Sequence, residues 1–290
     1  MPHLEREIIM PIKFTKMQGC ANDYIYINCL DKEVENPSKL AIEMSKRHFS
    51  VGSDGLVLIC KSDIADFKMR MFNLDGSEGN MCGNAIRCVG KFVYDGMYTN
   101  KNIVTIETKS GIKTLELYLG SNGLVESVKV SMGKASFKPS DLPLSQDEEY
   151  INKENVIGNE TYLITAVSMG NPHCVIFKDN IKELELDKIG PTFESNPLFP
   201  TKVNTEFVEV IDKNHLNMRV YERGSGETYA CGTGSCATVA AACINGICPF
   251  NEPVYVNLIG GTLEIVCDSE YNITMKGPAK RVFDGVYYED

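Results

Sequence analysis

Two stretches of sequence decide the fold of this 290-residue chain, because each repeats the other at a fixed distance. Residues 73–88 read NLDGSEGNMCGNAIRC, and residues 222–237 read ERGSGETYACGTGSCA. Cys82 in the first stretch lies over Cys231 in the second, 149 residues later, and a glycine follows each cysteine. Self-similarity at a fixed period is typical of duplicated architectures, so we expect two homologous halves.

The same offset extends toward the N-terminus of each stretch. The segment MRMFN, residues 69–73, lies over MRVYE, residues 218–222. Farther upstream, Asn22 in CANDYIYIN lies over Asn171 in GNPHCVIF. Three separate blocks share one register without net insertion, which chance matches would not usually do. The halves are therefore expected to span roughly residues 12–119 and 160–275.

Most of the chain has the pattern of β-strands, rich in β-branched and aromatic residues and separated by Gly, Asn or Asp. In the first half the predicted strands are Tyr24–Asn28, Leu56–Cys60, Phe67–Phe72, Ile103–Thr108, Ile112–Leu119 and Leu124–Val130. In the second half they are Tyr162–Val167, Thr205–Val210, Leu216–Tyr221, Val254–Ile259, Thr262–Cys267 and Asn272–Met275.

Each half also has one strong helix signal, which begins at the repeated cysteine. Apolar residues recur at helical spacing after Cys82 and after Cys231, and Gly96 and Gly246 offer the stops. The second helix is small on nearly every face, so we expect it to be buried deep inside its sheet. The stretch 136–155, with two prolines and an acidic run, is predicted to be a loop or a link between domains.

Composition and charge exclude several classes of function. The chain carries 29 Lys and Arg against 39 Asp and Glu, a net charge of −10, with 43% hydrophobic residues. The acidic balance disfavours nucleic acid as a partner. No apolar run approaches the roughly 20 residues of a membrane helix, and the opening MPHLEREIIM lacks the apolar core of a secretory signal. We therefore expect no membrane association and a cytoplasmic protein.

The cysteines and histidines give no support for a metal site. The chain has 11 cysteines, an odd number, with no CxxC spacing, and its four histidines form no HExxH motif. A disulfide framework is also disfavoured, so most thiols are expected to pack as small buried groups.

The cysteines of the repeat have a setting that favours chemistry. A turn rich in Gly and Asn or Thr that opens a helix presents free N–H groups and the positive end of the helix dipole. These groups lower the pKa of a thiol and can hold a carboxylate. If the halves face each other by pseudo-twofold symmetry, Cys82 and Cys231 flank one cleft. A base on one face of a carbon and an acid on the other would invert a stereocentre.

The motifs MCGNAIRC, GNPHCVIF, NTEFVEV and ERGSGETYACGTGSCA together resemble the diaminopimelate epimerase family, from about Phe14 onward. The resemblance implies an α+β fold of two pseudo-twofold-related domains, each a mixed β-barrel-like sheet around a central helix. We place the N-terminal domain at residues 12–125 plus 276–290 and the C-terminal domain at residues 126–275. The resemblance also implies an isomerase that acts in lysine and peptidoglycan precursor synthesis and needs no cofactor. A homodimer is common in such enzymes.

The resemblance assigns roles to residues at matching positions. Cys82 and Cys231 would be the thiolate and thiol that exchange the α-proton of diaminopimelate. Arg223 would clamp the distal carboxylate, Glu222 would accept from an ammonium, and His173 would support the thiols, unless it is simply a satisfied loop histidine. The residues that would bind the carboxylate attached to the reacting carbon, at the helix openings, are Gly83, Asn84, Gly232 and Thr233. The residues that would form a polar wall are Asn22, Asn73, Asn171 and Asn204.

Three positions depart from the family pattern. Ala21 and Ala85 stand where the family usually has glycine, so a left-handed backbone angle at either would be strained. Gly55 stands where some members have a glutamine that contacts substrate. We therefore expect one polar contact to be missing.

Two alternatives remain. Proline racemase and hydroxyproline epimerase use the same two-thiol geometry on a smaller substrate, which needs no distal clamp such as Arg223. A thiol-rich redox or binding protein could instead link Cys82 and Cys231 as a disulfide.

Overall fold

The computed structural model describes residues 11–289, so residues 1–10 lie outside the described part, as does residue 290, the last residue of the predicted N-terminal domain. The strands of the first half are β1 Ile12–Gly19, β2 Asn22–Cys29, β3 Gly55–Cys60, β4 Phe67–Asn73, β5 Glu78–Gly79, β6 Ile103–Thr108, β7 Gly111–Leu119 and β8 Val125–Lys134. Those that follow are β9 Lys153–Ile157, β10 Glu160–Ser168, β11 Pro172–Phe177, β12 Asn204–Asp212, β13 His215–Glu222, β14 Gly226–Thr228, β15 Pro253–Leu258, β16 Gly261–Cys267, β17 Asn272–Pro278 and β18 Lys280–Tyr287. The α-helices are α1 Pro37–Ser45, α2 Gly83–Asp95, α3 Leu186–Glu194 and α4 Gly232–Ile244.

The repeat found in the sequence recurs in the secondary structure. Both helices of the first half, α1 and α2, recur 149 residues later as α3 and α4 with the same length. Strands β1 to β7 recur as β10 to β16, with bounds within three residues of the same offset. The duplication and the two helices that begin after the repeated cysteines are thereby confirmed.

The sheet shows the same symmetry. Strand pairs run in the order β18-β1-β2-β3-β4-β6-β7-β8 in one arm and β9-β10-β11-β12-β13-β15-β16-β17 in the other, and antiparallel pairing of β8 with β17 joins the arms. The pairs β2–β3 and β4–β6 are parallel, as are their counterparts β11–β12 and β13–β15. Strand β18 crosses back to pair with β1, which supports assigning the C-terminal segment to the N-terminal domain; the residue boundaries between the domains stay a prediction.

The helices are arranged in two layers. Helices α2 and α4 lie in one shared core, and α4 is buried along nearly its whole length, as its small side chains predict. Helices α1 and α3 cover the outer faces of the sheet, each over a separate smaller core. The shared core brings the N-termini of α2 and α4 to the junction of the halves.

Several elements differ from the sequence-based expectation. Helices α1 and α3 are absent from it. The sequence signal for α1 is short, the Asn36 cap followed by Pro37, and α3 contains Pro191, a residue that disfavours helix. Strands β1, β5, β9, β11, β14 and β18 are absent from that expectation too. The predicted link at 136–155 is wrong at its end, because β9 begins at Lys153.

Two features of the described residues bear on a membrane or a metal ion as partner. Between residues 11 and 289, no helix combines the length and the apolar character that a membrane span requires. Over the same residues, no group of three or more His, Cys, Asp or Glu side chains is arranged to hold a metal ion.

Candidate active site

The two repeated cysteines each cap a helix. Cys82 is the N-cap residue of α2 and Cys231 that of α4, and both have an extended backbone. The Gly234 N–H donates to Cys231 Sγ at 3.3 Å. Each thiol therefore stands where the first N–H groups of a helix lack partners within it and where the helix dipole is positive.

The two helix openings pack against each other. A Cβ added to Gly232 would lie 3.6 Å from Gly83 Cα and 3.3 Å from Met275 Sδ. Asn84, in the first turn of α2, donates from Nδ2 to the carbonyl of Ala230 at 3.2 Å, across the two halves. The missing side chains at both glycines allow this approach. The structure thus brings the two cysteine turns to one interface.

Cys82 contacts polar groups of β2. Its thiol donates to Asn22 Oδ1 at 3.3 Å, and Asn22 Nδ2 donates to Asp54 at 2.8 Å. The hydroxyl of Tyr24 is hydrogen-bonded to the same thiol. Burial raises the pKa of Cys82, and the negative charge of Glu222 adds to this effect.

Cys231 lies beside acidic groups. Burial raises its pKa well above the usual range, and the carboxylates of Glu222 and Glu206 raise it further. Glu222 is hydrogen-bonded to the Cys231 thiol and to the hydroxyl of Thr228, and burial raises the pKa of this carboxyl as well. Because Glu222 raises the pKa of both cysteines, its carboxyl lies within electrostatic range of both thiols.

A chain of polar contacts leads from the buried Glu206 and His173 side chains to Cys231. His173 Nδ1 lies 2.7 Å from Glu206 Oε1, and His173 Nε2 lies 3.2 Å from Asn171 Oδ1. Asn171 Nδ2 lies 3.5 Å from Thr233 Oγ1, which lies 3.6 Å from Cys231 Sγ. His173 is fully buried within β11, so the alternative of a loop histidine is wrong.

The other predicted binding residues lie at or beside strand ends and contact turns. Asn204 Oδ1 accepts from the backbone N–H of Arg223 at 2.8 Å. The Arg223 guanidinium is exposed and donates to the carbonyl of Thr201 at 3.1 Å. Asn73 Nδ2 donates to Ser77 Oγ at 3.0 Å.

Comparison with known proteins decides the family. The family model described as diaminopimelate epimerase matches residues 14–138 and 165–282. The chain belongs to the diaminopimelate epimerase family. The diaminopimelate epimerases of Acetivibrio thermocellus and Methanococcus maripaludis are each 52% identical over 276 residues, covering 94% of this chain and 98% and 99% of theirs.

Solved structures show the same fold at much lower identity. A Bacillus anthracis phenazine biosynthesis protein of the PhzF family has a TM-score of 0.73 at 20% identity, covering 97% of this chain and 100% of its own. A hydroxyproline epimerase from Agrobacterium vitis has a TM-score of 0.68 at 11% identity, covering 95% and 90%. These structures confirm the α+β fold of two related domains, and the family match and the curated relatives confirm the isomerase class.

Three residues that interact with the thiols were not predicted as site residues. Tyr24 lies over His173 at the offset of 149 residues, so the repeat itself was a signal for it. Glu206 lies in a predicted strand, where an acidic residue suggests a solvent-facing position. Arg87 is fully buried in α2, but its counterpart in α4 is Cys236, so the repeat gives no signal there.

The three departures from the family pattern have different consequences. Ala21 has a φ of 62°, so the strain predicted there is confirmed. Ala85 lies within α2 in helical conformation, so the left-handed angle that would strain an alanine does not arise at this position. At Gly55 a Cβ would lie 2.1 Å from the carbonyl oxygen of Phe72, which closes this position to any side chain.

Proposed function

We propose that the protein epimerises LL-2,6-diaminopimelate to meso-diaminopimelate, with Cys82 and Cys231 as the proton-transfer groups and without a cofactor. The supporting observation is the meeting of two cysteine-capped helix openings at Gly83 and Gly232, with Glu222 acting on both thiols. The family members named above bear this activity in their names. The product then serves lysine and peptidoglycan precursor synthesis.

The helix openings hold the carboxylate attached to the reacting carbon. The free N–H groups at Gly83–Asn84 and Gly232–Thr233 and the two helix dipoles favour an anion at their junction. The Oδ1 atom of Asn84 is buried without a hydrogen-bond partner in the described chain. A substrate ammonium there would supply the donor that this oxygen lacks.

Proton transfer then runs across the substrate. One thiolate takes the α-proton, and the electron pair left on the carbon is stabilised by the carboxylate held at the helix openings. The opposite thiol delivers its proton to the other face and becomes a thiolate. Turnover therefore ends with the two cysteines in exchanged protonation states, ready for the reverse reaction.

Glu222 supports the thiol on its side. It was predicted to accept from a substrate ammonium, and its hydrogen bond to Cys231 supports a further role as acceptor of the thiol proton. Both groups have raised pKa values, and a proton that passes between them leaves the total charge of the cleft unchanged. That transfer is less costly in a buried site than charge separation.

The polar residues around the thiols hold the rest of the substrate. Asn22 and Asn171, which are related by the repeat, contact Cys82 and Thr233 and can read the substrate ammonium and carboxylate. His173 supports this wall because it fixes Asn171 through Nε2.

The distal end of the substrate is held at the exposed side of the cleft. Asn204 fixes the backbone of Arg223, and the planar guanidinium is suited to clamp a carboxylate in bidentate fashion. Asn73 adds a polar group at the strand end that corresponds to Glu222 in the repeat.

The test is α-proton exchange by NMR in deuterated buffer with reductant and no added cofactor. LL-diaminopimelate and L-proline are offered in parallel. Exchange with formation of meso product from diaminopimelate alone is the expected result. Exchange of proline alone would keep the two-thiol mechanism and replace the substrate, whereas exchange of neither would overturn both.

We further propose a cytoplasmic homodimer. All 11 cysteines are free, as a reducing compartment favours. Strand β18 exposes Val282, Phe283 and Val286 beside its pairing with β1, and exposed apolar side chains on a strand are typical of an interface. Light scattering of the purified protein tests the dimer, and a monomer at micromolar concentration would exclude it.

A further inference from the structure

A second pair of cysteines lies far from the catalytic thiols. Cys29 ends β2 and Cys60 ends β3, and the parallel register sets them directly opposite each other. Opposed residues on neighbouring strands point to the same face, and these two thiols are hydrogen-bonded to each other. Neighbouring strands lie about 4.8 Å apart, within the Cα separation of roughly 4.4 to 6.8 Å that a disulfide spans.

The pair opens into a surface cleft of about 440 Å³, whose lining includes both thiols together with Lys68 and Arg70. Cys60 is half-buried, whereas Cys29 is 5% exposed. The hydrogen bond from Cys29 lowers the pKa of Cys60, and the charges of Arg70 and Lys68 lower it as well, although burial and the negative charge of Glu33 oppose them. Cys60 is thus the accessible nucleophile and Cys29 the thiol behind it.

We propose that Cys29 and Cys60 form a thiol–disulfide exchange site for small-molecule disulfides, separate from the epimerase site. The Cys60 thiolate attacks one sulfur of the small disulfide, whose S–S bond breaks and releases one thiolate. Cys29 then loses its proton to solvent and attacks Cys60 Sγ, which releases the second thiolate and closes the Cys29–Cys60 bond. The small disulfide gains two electrons, and the protein dithiol loses two.

This site acts independently of epimerisation because of its position. Asn22, next to Cys82, begins β2, and Cys29 ends it seven residues later, which is about 23 Å along the strand. Both thiols belong to the outer core beneath α1, whereas Cys82 packs against the core around α2 and α4. Substitution of either cysteine is therefore expected to leave kcat and KM for diaminopimelate within about twofold of the wild-type values.

The test incubates the reduced full-length protein with glutathione disulfide, followed by alkylation, trypsin and mass spectrometry. We expect tryptic peptides 17–32 and 48–61, which contain Cys29 and Cys60, to be joined by a disulfide. Cys29→Ser should stop the reaction at a glutathionyl group on Cys60, and Cys60→Ser should leave Cys29 unmodified. Peptide 17–32 also contains Cys20, so a cross-link that persists in Cys29→Ser would assign the reaction to Cys20 and overturn the proposal.

A matched control exists in the same molecule. The thiols of Cys243 and Cys267 are also hydrogen-bonded, but their side chains are 3% and 0% exposed and stand in the second half. They are expected to stay reduced while Cys29 and Cys60 react. Equal reaction of both pairs, or no reaction of Cys60 at a reagent concentration that modifies free cysteine, would contradict the proposal.

Discussion

Gly83 and Gly232 lie close together, although 149 residues separate them in sequence: a methyl group on Gly232 would stand in van der Waals contact with Gly83 Cα, at 3.6 Å. This contact fixes the distance between the two helix openings, since each glycine directly follows a cysteine that caps its helix. The duplicated fold thus gives two separate thiols a common centre, which neither half could form alone.

Gly83→Ala tests the contact between the openings. The new Cβ would lie 2.8 Å from Met275 Cε, the flexible end of a side chain, so the fold should tolerate it. The displaced methionine would instead alter the contact between the two helix openings. We therefore expect kcat/KM to fall at least about tenfold, which corresponds to a rise of about 1.4 kcal/mol in the activation free energy. Gly90→Ala, in the same helix but facing Leu115 and Leu117, is the control: it should change thermal stability and leave the kinetics of the folded enzyme unaltered.

Single cysteine variants should separate the two faces of the reaction. Cys82→Ala and Cys231→Ala are each expected to reduce epimerisation at least about 10³-fold, because a two-base reaction fails without either partner. Each variant keeps one thiol, so residual deuterium exchange should favour one stereoisomer, and the preferred isomer should differ between the variants. Turnover close to wild type in either would exclude the two-thiol scheme.

Glu222→Gln should separate activity from stability. Burial raises the pKa of Glu222 in the folded protein, so the ionised carboxylate is disfavoured there relative to the unfolded chain. This penalty is absent below the unfolded pKa of about 4.3 and develops as pH rises through the folded value. The variant should therefore match wild type in thermal stability near pH 4 and exceed it at pH 8, while kcat falls about 10²-fold or more. Lower stability than wild type at pH 8 would contradict a buried anionic carboxylate.

The sequence predicts the parts of the molecule that the repeat encodes and misses those that tertiary contacts create. The boundaries of α2 and α4 follow from the cysteine turns and closing glycines, and both thiols are identified from their paired positions. Helix α3 is stabilised by packing of Leu186 and Phe193 over its own core rather than by a periodic pattern strong enough to stand out. Glu206 was missed because its partner, His173, lies 33 residues away.

Two alanines at family glycine positions offer a matched pair of variants. Ala21 has a φ of 62°, where an L-residue with a Cβ is disfavoured, so Ala21→Gly should stabilise the fold by about 1 kcal/mol. Ala85 is helical and 1% exposed, so Ala85→Gly should destabilise it by about 1 kcal/mol. Urea unfolding measures both changes. Shifts of the same sign would show that backbone conformation does not govern these positions.

Arg87 is a buried cation for which residues 11–289 supply no ion-pair partner. Its guanidinium is fully buried, and its acceptors among residues 11–289 are the carbonyl oxygens of Gly83 and Pro278 and the sulfurs of Met275 and Cys20. A buried charge without an opposite partner is unfavourable, so an anion at the helix openings, thiolate or substrate carboxylate, would be held more strongly.

Arg87 therefore acts on the protonation of Cys82. Its positive charge lowers the pKa of that thiol, against burial and the negative charge of Glu222. The other titratable groups that interact with this thiol are Tyr24, Tyr26 and Cys88. Arg87→Gln should move the acidic limb of the kcat/KM pH profile upward by about one pH unit, as loss of a nearby opposite charge does. Arg87→Lys keeps the charge and should hold the limb in place, even where lost hydrogen bonds lower thermal stability. Equal displacement of the limb in both variants would assign Arg87 to packing of the α2 opening instead.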